Sequence, residues 1–121
     1  MLKRKLLGYC AVDSGQIVIV DPCYLSEWKD GEAFPEFPNI LANHYATCCA
    51  LTTKNKNQGG EILVSGVGGT GVVASSGLGD GSYPVYANYT NIGTKSKPDI
   101  RIKSLTIEFL AQEELETFKK L

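Results

Sequence analysis

Glycine crowded between residues 66 and 81 constrains this chain more than any other feature. Gly66, Gly68, Gly69, Gly71, Gly77, Gly79 and Gly81 make up over half of the thirteen glycines in the sequence. Glycine loses more backbone entropy on folding than any other residue. A cluster of this kind is therefore costly unless tight turns, or the close approach of a ligand to the main chain, require it. The stretch runs into GLGDGSYPVY, where Asp80 stands between Gly79 and Gly81 just ahead of an aromatic β-type run. The pattern suits a site built on main-chain turns and names no ligand.

The rest of the chain reads as short strands. Residues 6–12 and 16–20 are β-type runs separated by Asp13-Ser14-Gly15, which predicts a hairpin. Ile17-Val18-Ile19-Val20 does not alternate, so the second run is expected to be a central strand covered on both faces. Asp21-Pro22 ends it, because proline cannot donate to a ladder. Ser26 could open one helical turn before an irregular excursion anchored by Trp28, Phe34 and Phe37, with Pro35 and Pro38 forbidding a longer element. Residues 39–45 suggest a short helix and 46–52 a strand, which would turn Cys48 and Cys49 to opposite faces. Residues 53–60 read as a polar loop, with 61–65 pairing back as a hairpin.

Residues 72–74 are short and apolar, and 82–90 form a strand with Tyr83, Val85, Ala87 and Tyr89 on one face. Pro84 places that strand at a sheet edge or delays its pairing. Residues 91–98 make a basic loop. Apolar alternation over 100–109 slips by one at Lys103-Ser104, which predicts a β-bulge. Residues 111–121 form the one convincing helix, with Ala111, Leu115 and Phe118 on a face, acids in the first turn and lysines in the last. Three turns are marginal alone, so the helix is expected to pack on a sheet. The expected fold is mainly β: an antiparallel sandwich or half-open barrel of six to seven short strands with one C-terminal helix, in a single domain over 1–121.

Composition narrows the function. Net charge is −1 with 43% hydrophobic and 21% charged residues, which argues against a broad nucleic-acid surface. No run approaches the ~20 apolar residues of a membrane helix. The basic start has no long apolar stretch behind it, and Tyr9 before Cys10 spoils a lipoprotein box, so the chain reads as cytoplasmic. Cys10, Cys23, Cys48 and Cys49 show no paired metal spacing and read as bystander thiols. No metal or cofactor is expected.

VDSGQ at 12–16, DPCY at 21–24 and SSGLGDGSYPVY at 75–86 together resemble a family of small uncharacterised phage and bacterial proteins. The resemblance implies a compact β-rich fold in a viral or prophage setting and supplies no catalytic residues. The loop over 91–101 and the last helix lie outside the shared motifs.

Three function classes compete. In the first, the chain binds and sequesters a small phosphate-bearing ligand, a nucleotide or cyclic nucleotide signal in the setting the resemblance implies. Ser75, Ser76, Gly77, Gly79, Asp80 and Gly81 would cradle the phosphate with backbone N–H groups and hydroxyls, as would Thr70 in the preceding segment. Tyr83, Tyr86 and Tyr89 would stack on a base, and Arg101 would offer a bidentate fork beside Lys95, Lys97 and Lys103. The plainer reading makes these turns, packed rings and a lysine-guarded edge. Neither glycine segment matches a dinucleotide or P-loop fingerprint. In the second class, Asp21, His44 and Asp80 serve a small hydrolase or phosphodiesterase; plainer, Asp13, Asp21 and Asp80 are turn formers and His44 is structural. In the third, the tyrosine strand binds another protein or a second copy. The first class is expected, with a homo-oligomer as the way to enclose a ligand.

Overall fold

The structure, a computed structural model, describes residues 3–28, 44–64 and 70–120. In chain order these form strands β1 (Lys5–Val12) and β2 (Gln16–Val20), a 3-10 helix (Pro22–Glu27), helix α1 (His44–Lys54), strands β3 (Gly59–Ile62), β4 (Gly71–Ser75), β5 (Gly81–Asn91) and β6 (Ile100–Ile107), and helix α2 (Gln112–Lys119). The six strands make two three-stranded antiparallel sheets, β1-β5-β6 and β2-β4-β3, and neither closes into a barrel. The mainly β expectation holds, with an additional central helix.

The chain separates into two compact units: residues 13–79, and residues 1–12 together with 80–121. In the 13–79 unit, α1 lies on the β2-β4-β3 sheet, and the core is Cys48, Ile62, Val64 and Val73, walled by Val18, Val20, Tyr24, Trp28 and Leu51. The strand expected at 46–52 is the body of α1. Its buried residues His44 and Cys48 are four apart, with Leu51 three further on, which is helical spacing. Cys48 and Cys49 are thus neighbours on a helix, the first buried and the second half-buried. Threonines stay inside the helix by bonding back to the preceding turn: Thr52 Oγ1 donates to Cys48 O (3.0 Å) and Thr53 Oγ1 to Cys49 O (2.6 Å).

Three pairings also differ from expectation. β1 and β2 are no hairpin, since β1 pairs with β5 and β2 with β4. The unbroken apolar run of β2 lies at a sheet edge with Ile19 exposed, and β4 takes the central place. β3 pairs with β4, so the segment before it supplies no hairpin partner. The helical turn comes earlier than expected, over Pro22–Glu27, because Asp21 caps it and Pro22 is pre-set for a first helical position. Trp28 does anchor on the core. Phe34, Phe37 and most of the helix expected at 39–45 lie outside the described residues.

In the other unit β5 is the central strand, not an edge. Pro84 fits there because its carbonyl accepts from Glu108 N (3.2 Å), just beyond the end of β6. N and O of one strand residue face the same neighbour, so the missing N–H falls past the last β5-β6 pair and delays that pairing. The expected bulge is present: Asn88 pairs with Ser104 and Tyr89 with Ile102, leaving Lys103 extra. It keeps Ile100, Ile102, Leu105 and Ile107 on the face of Tyr89, Ala87 and Val85. A second shift, between Leu6 and Gly8, interrupts β1. Helix α2 buries no residue, contrary to the expected packing on a sheet.

Candidate functional site

Functional geometry in this chain starts from which side chains already have work to do. The turn after β4 is closed by its own bonds. Ser76 Oγ donates to Gly79 O (2.6 Å), Gly79 N to Ser76 O (3.3 Å) and Ser76 N to Gly15 O (3.0 Å). Gly77 (φ 70°) and Gly79 (φ 120°) supply left-handed backbone that other residues rarely adopt. Ser75 Oγ donates to Thr52 O (3.4 Å), and Ser76 is fully buried. Thr70 Oγ1 accepts from Val64 N (2.7 Å) and donates to Ile62 O (3.2 Å). These hydroxyls hold the turn and the strand ends together. Gly66, Gly68 and Gly69 lie outside the described residues.

Asp80 and Gly81 open the other unit, both exposed. Tyr83 is buried against the edge of Phe109, ring centroids 5.1 Å apart. Tyr86 faces the opposite side of the sheet, with the Arg4 guanidinium 4.0 Å over its ring and Arg4 3.6 Å from Glu108. Arg101 is occupied by Asp99 through Nε–Oδ1 (2.7 Å) and Nη2–Oδ2 (3.1 Å), which raises its pKa further. Strand alternation therefore sets Tyr83 and Tyr89 on one face and Tyr86 on the other, so the three cannot stack on one base.

Of the candidate acid–base residues, Asp21 and His44 belong to the 13–79 unit and Asp80 to the other. Asp21 Oδ1 accepts from Cys23 N (2.9 Å), and that bond holds its carboxyl below the usual carboxylate range. Cys23, at the same turn, is pushed up by lost hydration and then by the Asp21 carboxylate. His44 is buried with its ring 5.2 Å from that of Trp28. Beside it a small cavity of about 90 Å³, bordered by Gln16, Trp28, Tyr45 and Cys48, falls well short of the roughly 300 Å³ at which ligand pockets begin. Gln16 is tied there to α1, donating to Cys49 Sγ (3.3 Å) and accepting from Thr52 Oγ1 (3.0 Å). Among the described residues no three His, Cys, Asp or Glu side chains gather as a metal site would require, and all four cysteines are free thiols.

A larger cavity, about 420 Å³, opens on the β1-β5-β6 sheet and is lined by Lys3, Lys5, Tyr89 and Ile100. Its size lies within the range of small-molecule sites. Register explains the convergence. Lys5 pairs with Ala87, Tyr89 with Ile102 and Asn91 with Ile100, so these positions share one face at the open end of the sheet. Among the described residues neither lysine has an ion-pair partner, in contrast to Arg4 and Arg101. The cavity therefore combines two uncommitted cations, one aromatic ring and an aliphatic wall. Of the residues expected to hold ligand, only the stacking residue Tyr89 lines it. Lys3 and Lys5 were legible as alternating positions before a strand, but their place opposite Tyr89 depends on a long-range pairing that local spacing does not reveal.

Among the described residues no helix is long and apolar enough to cross a membrane. No curated protein and no solved structure matches the chain. Residues 4–95 match a family described as Protein of unknown function (DUF4241), a span that takes in Lys5 and Tyr89 and stops before β6. With that match over most of its length, the chain belongs to the DUF4241 family.

Proposed function

We propose that this protein binds and holds a small phosphate-bearing ligand without turning it over, in the cavity between Lys3, Lys5, Tyr89 and Ile100. In the phage setting that the family resemblance implies, the ligand class is a nucleotide or cyclic nucleotide signal removed from circulation. The observation that carries the reading is a pair of lysines, without ion-pair partners among the described residues, beside an aromatic ring in a cavity of about 420 Å³. Ammonium groups attract phosphate as compact point charges, and a tyrosine face takes a base by stacking. Ile100 supplies an apolar wall beside both contacts.

The experiment is a thermal-shift panel of inorganic phosphate, mononucleotides and cyclic dinucleotides, read on wild type and on a Lys3→Ala/Lys5→Ala variant. A ligand at a hundred times its Kd adds about 2.7 kcal/mol to stability, a shift of several degrees for a chain of this size. The shift is expected in wild type, absent in the variant, reduced by salt, and accompanied by recovery of intact ligand after denaturation. No shift across the panel, or an equal shift in the variant, overturns the reading. Recovery of a cleaved product replaces it with the hydrolase alternative.

A further inference from the structure

The residues 1–12 and 80–121 carry two apolar surfaces that stand uncovered. One is the open end of the sheet, where Ile100 is 47%, Ile102 53% and Leu105 55% exposed along one strand face. Single exposed apolar residues are ordinary, but a contiguous row marks an interaction surface. The other is the stripe of α2, where Leu115 is 36% and Phe118 47% exposed. An eight-residue helix with no buried residue has too little local stability to persist by itself.

We propose that α2 of one chain docks its Leu115–Phe118 stripe on the Ile100–Ile102–Leu105 face of a second copy of this chain, reciprocally. Charge selects the occupant. Helix α2 carries Glu113, Glu114 and Glu116 against the single base Lys119, and the sheet face is bordered by Lys3 and Lys5, which have no ion-pair partner among the described residues. Helical spacing places Glu114 on one flank of the stripe, one turn before Phe118, and Lys119 on the other, one turn after Leu115, so Glu114 is the acid that can meet a lysine there.

Reach excludes the chain's own helix as the full cover. Phe109, just before α2, is held edge-on against Tyr83. From Tyr83 to Asn91, the residue paired with Ile100, the strand runs about 27 Å. From Phe109 to Phe118, a short extended step and the helix together span about 18 Å. The helix therefore ends short of Ile100 on its own sheet, and a second copy is free of that tether. Two-fold exchange closes on itself, so that each copy gives one helix and receives one, as isologous dimers do. The lysines would then serve either the acidic helix or an anionic ligand, so the association is measured without ligand.

Sedimentation equilibrium on the whole protein, as concentration is raised, tests this. Wild type is expected to dimerise. Phe118→Lys and Ile102→Lys are each expected to weaken the dimer about tenfold or more, as loss of an interface anchor does. Both positions are exposed, and circular dichroism checks that each variant is folded. An equimolar mixture of the two variants should regain association, because one intact helix then meets one intact sheet. Should either variant misfold, Lys3→Glu/Lys5→Glu serves instead and should also weaken the dimer. A wild type that stays monomeric, a dimer indifferent to these substitutions, or a mixture no stronger than its components overturns the proposal.

Discussion

In the 13–79 unit a helix covers its sheet, and Ile62 and Val73 are left only 1% exposed. The unit of residues 1–12 and 80–121 has a sheet with longer strands, yet among its described residues only Val12, Tyr83 and Ala87 are buried apolar side chains. Both units obey the same alternation of faces. What differs is the cover. α1 follows β2 in the chain and reaches the sheet that β2 helps to build, whereas α2 leaves its apolar stripe in solvent. The family match, residues 4–95, takes in the whole helix-covered unit together with β1 and β5 of the other, but neither β6 nor α2. Apolar burial concentrates where the helix lies, and exposed apolar surface is left where it does not.

The sharpest way to break this comparison is to truncate one isoleucine in each unit. Ile62→Ala empties space in a closed core and is expected to destabilise by about 2–5 kcal/mol. Ile102→Ala, the same chemical change on the open face, should stay within about 0.5 kcal/mol of wild type in the monomer. Urea melts at low protein concentration read both from the midpoint at constant slope. Equal losses would mean that the face of Ile102 is covered in solution and that the contrast is wrong.

A smaller contrast comes from two strand glycines. A methyl group at Gly59 would land on the carbonyl oxygen of Val73 in the neighbouring strand, so Gly59→Ala should destabilise by about 1–3 kcal/mol. At Gly8 a methyl group meets nothing within 4 Å, and the backbone there is ordinary. Gly8→Ala should therefore be neutral, or stabilise by up to about 1 kcal/mol by restricting the unfolded chain. The same melts decide it, and a large loss at Gly8 would show that β1 is packed more tightly than its exposed face suggests.

What could be seen in the sequence follows the same division. The β6 bulge was legible because a phase slip in alternation has one local cause, an extra residue, and Lys103 is that residue. The β5 face and α2 were legible from periods of two and 3.6. The strand expected at 46–52 failed because Thr and Cys favour strands weakly, whereas burial at His44, Cys48 and Leu51 imposes helical spacing. The hairpin at 13–15 failed for a topological reason. Its turn residues are real, with Gly15 at φ 70°, but they carry the chain from one sheet into another. Nothing local tells a turn that pairs its flanks from one that parts them. Lys3 and Lys5 were overlooked for the same cause, since their place at the cavity rests on β1 pairing with β5, Lys5 lying opposite Ala87 more than eighty residues away.

The smallest expected effect contrasts the two exposed carboxylates whose bonds are on show. In the 13–79 unit, Asp21 caps the 3-10 helix through Cys23 N, and its carboxyl lies below the ordinary value. A depressed folded pKa means that ionised Asp21 adds stability at pH values above the unfolded carboxyl, near 3.9, and that this contribution is lost as pH falls through the folded value. In the other unit, Asp99 holds Arg101, whose raised pKa lies at the alkaline extreme, so the guanidinium stays charged throughout the acid range. That exposed pair is open to salt screening, while a cap bond within one turn depends on salt much less. Asp21→Asn keeps a cap acceptor and removes its titration. Melting temperatures of wild type and Asp21→Asn should run together near neutral pH and separate below about pH 4, with wild type falling faster. Added salt should leave that separation in place. Parallel curves down to the acid limit would show that the Asp21 cap contributes nothing to the folded unit, and would leave its helix-covered core as the whole source of the contrast.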